Sequence, residues 1–353
     1  MYSSIRPGKT WYDTEGKRIH AHGGSIIFAD ETFWWYGENK EGITGTATGE
    51  KCKNWHHGVR CYSSKDLYNW KDEGLIVPES DDPNNPFYPE NIMDRPHVLY
   101  NEKNKKYVLW AKTSQKGQGF ERAKFSLCVG DSLRSLKFVK TIDSEPHFCG
   151  DFDLFKYRDK AYAIFERPHS EMIVRELNED YTGFTDKWSS HLHFPCPPLV
   201  REAPAFFERN DRLFILTSGT TSYFPNPTIA YDITDIHGEW KDLGKTCEND
   251  KRGNSFHCQF SSVFKHPYVN DLYIALGDRW LVDLTEDLPD VEELFLDAFS
   301  GKNQRFSEWQ RLGELTDENT SEANYVWLPI TFDEQGNPRI QWRRSWTVEE
   351  FNR

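Results

Sequence analysis

Apolar and polar positions along this chain repeat as one unit, which occurs five times: an apolar run, a polar turn, then a second apolar or aromatic run. The copies are Ser25-Ile-Ile-Phe with Phe33-Trp-Trp-Tyr-Gly, His97-Val-Leu-Tyr with Tyr107-Val-Leu-Trp, and Asp153-Leu-Phe with Ala161-Tyr-Ala-Ile-Phe. Ala205-Phe-Phe with Leu213-Phe-Ile-Leu and Ser262-Val-Phe with Leu272-Tyr-Ile-Ala-Leu complete the set. Short runs broken by turn residues predict β-hairpins. Their spacing of roughly 50 to 75 residues is a little longer than that of familiar propeller blades. Four of the copies are followed by a second theme of strand, Ser/Asp-rich turn, aromatic and strand, as in Cys61-Tyr-Ser-Ser-Lys-Asp-Leu-Tyr-Asn-Trp. Two hairpins per unit make a four-stranded blade. Tyr325-Val-Trp-Leu-Pro-Ile-Thr-Phe and Arg339-Ile-Gln-Trp supply the second hairpin of the fifth copy. The expectation is an all-β, five-bladed β-propeller occupying residues 1–353 as one domain. One short helix interrupts the last blade, with Val291, Leu294, Phe295, Ala298 and Phe299 at helical spacing behind an Asp290 cap. It is expected to pack on the outside of the ring as scaffold.

A radial repeat brings equivalent positions to one axis. Just before each first hairpin stands His22, Asp94, Asp151, Glu202 or Gln259. Glu202, in Arg201-Glu-Ala-Pro-Ala, enters an apolar strand, where loss of solvent would raise its pKa and suit it to donate a proton. A buried pair with Arg201 is the plainer alternative. Acids on different blades facing one axis are what glycoside hydrolysis requires: one protonates the leaving oxygen and another group activates water across the ring.

Composition narrows the partners. Aromatic residues make up 15% of the chain, with 13 Trp, which suits strand cores and sugar-stacking surfaces. A net charge of −13 without a basic stripe argues against nucleic acid and anionic membranes. Seven cysteines without CxxC spacing argue against a disulfide framework or a zinc site. No Gly-x-Ser-x-Gly elbow, phosphate-binding glycine loop or trusted metal-ligand spacing is present, Trp55-His-His included. The N-terminus lacks an apolar leader core, so the expected location is cytoplasmic, or secreted should a leader precede Met1.

The segments His20-Ala-His-Gly-Gly, Trp35-Tyr-Gly-Glu-Asn-Lys, Asp94-Arg-Pro-His-Val-Leu-Tyr-Asn, Arg201-Glu-Ala-Pro-Ala, Ser218-Gly-Thr-Thr-Ser-Tyr-Phe-Pro-Asn, Gly277-Asp-Arg-Trp and Tyr325-Val-Trp-Leu-Pro carry a resemblance. In their order and spacing they resemble glycoside hydrolase family 43. The nearest branch contains exo-β-1,3-galactanases, α-L-arabinofuranosidases and β-galactofuranosidases. The resemblance implies Glu202 as catalytic acid and Asp151 as the carboxylate that tunes it and holds the sugar. Where most of the family keeps an Asp base, this chain reads His22-Gly23. In the galactanase branch a Gln is thought to stand in for that base, and Gln259 matches it. Asp94, where the branch usually has Glu, is the competing group for placing water. The substrate-binding set implied is His22, Glu38, Arg95, Thr221, Tyr223 and Arg279, with Tyr223 standing where the branch usually has Trp.

The function expected is an exo-acting, inverting glycosidase releasing terminal galactose from plant arabinogalactan-type glycans or oligosaccharides, without a required cofactor. Arabinofuranosidase and galactofuranosidase activities are the alternatives within the family. A non-catalytic glycan-binding propeller and a glycoside phosphorylase are the alternatives outside it. A structural Ca2+ on the axis occurs in some relatives, and no ligand set in this sequence demands one.

Overall fold

A computed structural model describes residues 1–42, 44–45, 53–146, 148–284, 290–301, 305–313 and 319–352. Five antiparallel sheets stand around one axis as a five-bladed β-propeller. Blade one is β1 (His22–Ala29), β2 (Thr32–Glu38), β3 (Val59–Ser64) and β4 (Lys71–Val77). Blade two is β5 (Ile92–Asn101), β6 (Lys106–Ser114), β7 (Lys124–Gly130) and β8 (Lys137–Ile142). Blade three is β9 (Phe152–Tyr157), β10 (Lys160–Arg167), β11 (Glu171–Leu177) and β12 (Phe184–His191). Blade four is β13 (Arg201–Arg209), β14 (Arg212–Gly219), β15 (Ile229–Ile233) and β16 (Trp240–Lys245). Blade five contains β18 (Gln259–Lys265), β19 (Tyr273–Arg279), β20 (Asn324–Phe332) and β21 (Pro338–Gln341).

The innermost strands are the first runs of the five repeats. They touch in ring order, β1 on β5, β5 on β9, β9 on β13, β13 on β18, and β18 back on β1. Flanked on both faces, β5 is buried along most of its length, whereas the outermost β8 is almost wholly exposed. Each seam between blades has its own apolar core. That between blades five and one is built on Trp11, Trp35, Trp70, Trp327 and Trp346.

Blade five departs from the expected four strands. The two-residue β17 (Cys247–Glu248), which follows the outer strand of blade four, adds in parallel to β21 and covers its edge. An uncovered edge offers unpaired backbone groups, and a short borrowed strand satisfies them. The ring is closed by packing rather than by a shared strand. Ile5 bridges Trp346, Gly8 N donates to Tyr325 O, and Arg18 reaches Glu322 and the Ala323 carbonyl.

Among the described residues the insertion holds two α-helices, α1 (Val291–Phe299) and α2 (Phe306–Gly313), where one was expected. Asp290 caps α1 by accepting from Glu293 N at 3.0 Å. The second helix is short, and its buried contribution is chiefly Leu312, too little for a clear periodic signal. Leu294, Phe295 and Leu312 pack on Phe224 and Leu281, with Tyr223 partly covered by the same cluster. The helices therefore brace the loop that carries Tyr223.

Candidate active site

Every polar residue that heads an innermost strand has a partner opposite it on the second strand. His22 pairs in register with Glu38, Asp94 with Lys112, Glu202 with Ser218, and Gln259 with Asp278. In blade three Glu166 N donates to the Asp151 carbonyl. Register breaks follow the site residue in β1, β5 and β13, and the residue there takes a left-handed conformation: Gly23 at φ 61°, Arg95 at φ 53° and Ala203 at φ 47°. Such a bulge bends the strand and re-aims side chains at its end. At Gly23 glycine is required twice over. Its φ disfavours L side chains, and a Cβ would collide with Glu38 Oε1. The space beside the expected base position is filled by the Glu38 carboxylate.

Glu202 accepts from Gln259 Nε2 at 3.0 Å through Oε1, and that same nitrogen donates to Ser218 Oγ at 2.8 Å. On its other side the Gln259 carbonyl accepts from Arg95 Nη2. Arg95 Nη2 also donates to Asp151 Oδ2 at 2.8 Å. Lys112 Nζ lies 2.9 Å from Asp151 Oδ1 and 3.0 Å from Asp94 Oδ2. Trp55 Nε1 donates to Asp94 Oδ1 at 2.6 Å. Glu38 pairs with Lys40 at 3.0 Å and accepts from Arg95 N at 3.1 Å. One network thus joins all five blades, with Gln259 bonded directly to blades two and four and Arg95 carrying it on to blades one and three.

The charges divide the acids into two kinds. Burial opposes ionisation of Asp151, but Arg95 and Lys112 outweigh it and hold this carboxyl well below its ordinary value. Burial raises Glu202 well above its ordinary value, and the negative charges of Asp151 and Glu166 add to the rise against Arg95 and Lys112. Burial pushes Glu166 and Glu38 up to about 7. An ionised acid beside a protonated one is the division of labour required of a proton donor and its tuning group.

Arg201 does not pair with Glu202. The two alternate along β13, and Arg201 turns away to Thr217 Oγ1 at 3.0 Å and to the carbonyls of Thr217 and Pro227. Three residues expected to touch substrate are committed to the protein instead. His22 is fully buried, with Nδ1 2.8 Å from Asp278 Oδ1 and its ring stacked on Tyr325 at 4.6 Å. The Thr221 hydroxyl donates to Phe224 O at 2.6 Å and accepts from Asn226. Arg279 donates to the carbonyls of His257 and Phe256. Trp35 is buried in the tryptophan core. Tyr223 is half-buried, and the negative charges of Asp94, Glu38 and Asp151 act on it. Its ring meets that of half-buried Trp280 at 5.8 Å and 85°, forming an aromatic corner beside the acids.

Lys40, Trp55, Lys112, Glu166, Ser218, Asp278 and Trp280 were not singled out from the sequence. Four of them, Lys112, Glu166, Ser218 and Asp278, stand near the end of a second strand, so hairpin register was the signal that could have found those. The Pro-rich segment before Asp94 buries Phe87, and its Pro89 carbonyl accepts from Trp55 N at 2.7 Å, which sets the indole over Asp94. Among the described residues, no group of three or more His, Cys, Asp or Glu is placed to hold a metal ion.

A five-bladed propeller whose axis carries a carboxyl of raised pKa beside a held carboxylate has the groups that glycoside hydrolysis requires. The family description "Glycosyl hydrolases family 43" matches residues 21–243, more than half of the chain. The chain belongs to that family and is a glycoside hydrolase. Among solved structures it is similar to the GH43 β-1,3-galactosidase BT0265 at 27% identity and TM-score 0.80, covering all of this chain and 65% of that protein. It therefore spans just under two thirds of that relative's length. The GH43 β-1,3-galactosidase BT3683 with galactodeoxynojirimycin is 25% identical with TM-score 0.77, covering 98% of this chain and all of that one. An exo-β-1,3-galactanase from Phanerochaete chrysosporium with galactose shares the fold at 20% identity and TM-score 0.75, covering 98% of this chain and 68% of that one. No curated protein matches the chain.

Proposed function

We propose that the protein is an exo-acting, inverting glycosidase that releases terminal β-1,3-linked galactose. The carrying observation is Glu202, held in its protonated form by burial and by Asp151, at the head of the innermost strand of blade four. In this reading Glu202 gives its proton to the leaving oxygen as that oxygen parts from the anomeric carbon. Water attacks the opposite face of the sugar and loses a proton to a group across the site. Asp151 stays ionised and keeps Glu202 protonated between turnovers. Arg95 Nη1 is a buried donor without a partner among the described residues, and a sugar hydroxyl would satisfy it. The Tyr223–Trp280 corner offers an apolar face to the ring. Galactose is favoured by the similarity to two β-1,3-galactosidases at 27% and 25% identity.

Phosphorolysis is disfavoured by the same hydrogen bonds. Arg201 and Arg279 are spent on backbone carbonyls, which leaves Arg95 Nη1 as the one remaining guanidinium nitrogen of the three expected to serve a phosphate, too little for a dianion.

The test is hydrolysis of β-1,3-galactobiose by wild type and Glu202→Gln. Loss of general acid catalysis is expected to slow turnover about 10²–10⁴-fold with the thermal transition unchanged. A loss smaller than about tenfold, roughly 1.4 kcal/mol, would remove Glu202 as the acid. NMR of the first-formed anomer checks inversion, and aryl arabinofuranosides and galactofuranosides check the sugar.

A further inference from the structure

The orientation of the Gln259 amide is dictated by its neighbours. A guanidinium only donates, so the atom facing Arg95 Nη2 is the amide oxygen. The nitrogen then faces Glu202 Oε1 at 3.0 Å and Ser218 Oγ at 2.8 Å, and both of its N–H groups are used. Ser218 is itself fixed, buried and paired with Glu202 across β13 and β14. Gln259 of blade five thus bridges blades two and four, bound at both ends of its amide.

This arrangement conflicts with a water-activating role for Gln259. To take a proton from water an amide must accept it on oxygen, and that oxygen already accepts from a cation, which lowers its basicity. The bond to Glu202 has another consequence. In a protonated carboxyl the carbonyl oxygen is the better acceptor, so the oxygen that accepts from Gln259 is the one without the proton. Among the described residues no hydrogen-bond partner holds the other oxygen, Oε2. We infer that Gln259 and Ser218 are positioning residues that confine the proton of Glu202 to Oε2, where it meets the leaving oxygen, and that Gln259 does not handle the water. A carboxylate is far more basic than an amide oxygen even beside a cation, so Asp94, held by Trp55 and Lys112, is the candidate for that task.

The inference rests on Glu202 being the acid, as proposed above. Its test compares kcat/KM for wild type, Gln259→Met, Ser218→Ala and Ser218→Thr on β-1,3-galactobiose and on 2,4-dinitrophenyl β-D-galactopyranoside, whose leaving group needs no proton. Misplacing the acid's proton should cost Gln259→Met about 100-fold on the disaccharide and less than about tenfold on the aryl substrate. Ser218→Ala should lose about tenfold on the disaccharide alone, and Ser218→Thr should restore it. Equal losses on both substrates, or rescue of Gln259→Met by azide, would show that Gln259 serves the nucleophile and overturn the inference. A wild type silent on both galactosides would refute the substrate reading instead. The inference would then be judged on glutamine labelled with nitrogen-15. The side-chain amide signal missing in Gln259→Met should shift with pH as Glu202 titrates and stay still in Glu202→Ala. A signal indifferent to pH in the wild type would overturn it.

Discussion

At the scale of single residues, the proposed function depends on Asp151 and Glu202 keeping opposite protonation states although both are half-buried in one network. Two cations hold Asp151 ionised, one on each oxygen, while Glu202 has no cation in direct contact. Coulomb energy falls with distance and rises as water is excluded, so the directly paired acid loses its proton first. The pH dependence follows with a definite sign. Glu202 must be protonated to act, so kcat/KM should fall as pH rises through its elevated pKa. Asp151→Asn removes a negative charge that contributes to that elevation. The alkaline limb should therefore move to lower pH, with a lower maximum, in a pH–rate profile of β-1,3-galactobiose hydrolysis. An unmoved limb would mean that Asp151 does not tune Glu202.

At the scale of elements, the hairpin with its bulge is the working unit. The first strand brings the residue legible in sequence, and the second brings a polar residue opposite it to the axis. Gly23 shows how tightly the two are fitted, since its Cα hydrogen faces the Glu38 carboxylate. Gly23→Ala should destabilise by at least about 1 kcal/mol from the left-handed backbone alone. It should also displace Glu38 and weaken substrate binding, seen as a raised KM together with a lower thermal midpoint. The first-strand residues could be recognised because each stands at the same place in a repeat. Lys112 and Ser218 could not, because a Lys or Ser at a strand end is ordinarily a solvated or turn residue. Only hairpin register turns them toward the axis. His22 is the reverse case: its repeat position pointed to the site, but Asp278 and Tyr325 enclose it.

At the scale of the whole molecule, the ring depends on the seam between blades five and one. Among the described residues no strand crosses it, and the N-terminal segment supplies Trp11, whose ring lies 5.8 Å from Trp35, 5.6 Å from Tyr325 and 4.8 Å from Trp327. Trp11→Ala should cost about 3–5 kcal/mol, as expected for a buried large aromatic. Urea unfolding followed by tryptophan fluorescence would measure it. A cost below about 1 kcal/mol would show that the seam closes without this residue.

The chain's own pattern determined the five repeats, their strands and the polar residue that heads each one, because strand periodicity and turn chemistry act over a few neighbouring residues. It could not reveal the second helix of the insertion or the edge strand Cys247–Glu248, since two residues carry no period. Nor could it show which polar residues meet. Arg95 reaches Asp151 and Gln259, 56 and 164 positions away, and Arg201, next to Glu202, turns from it. Closing the ring made those choices. It brings five strand ends within hydrogen-bonding distance in a space with little water, where every buried donor must find an acceptor and every buried charge a partner.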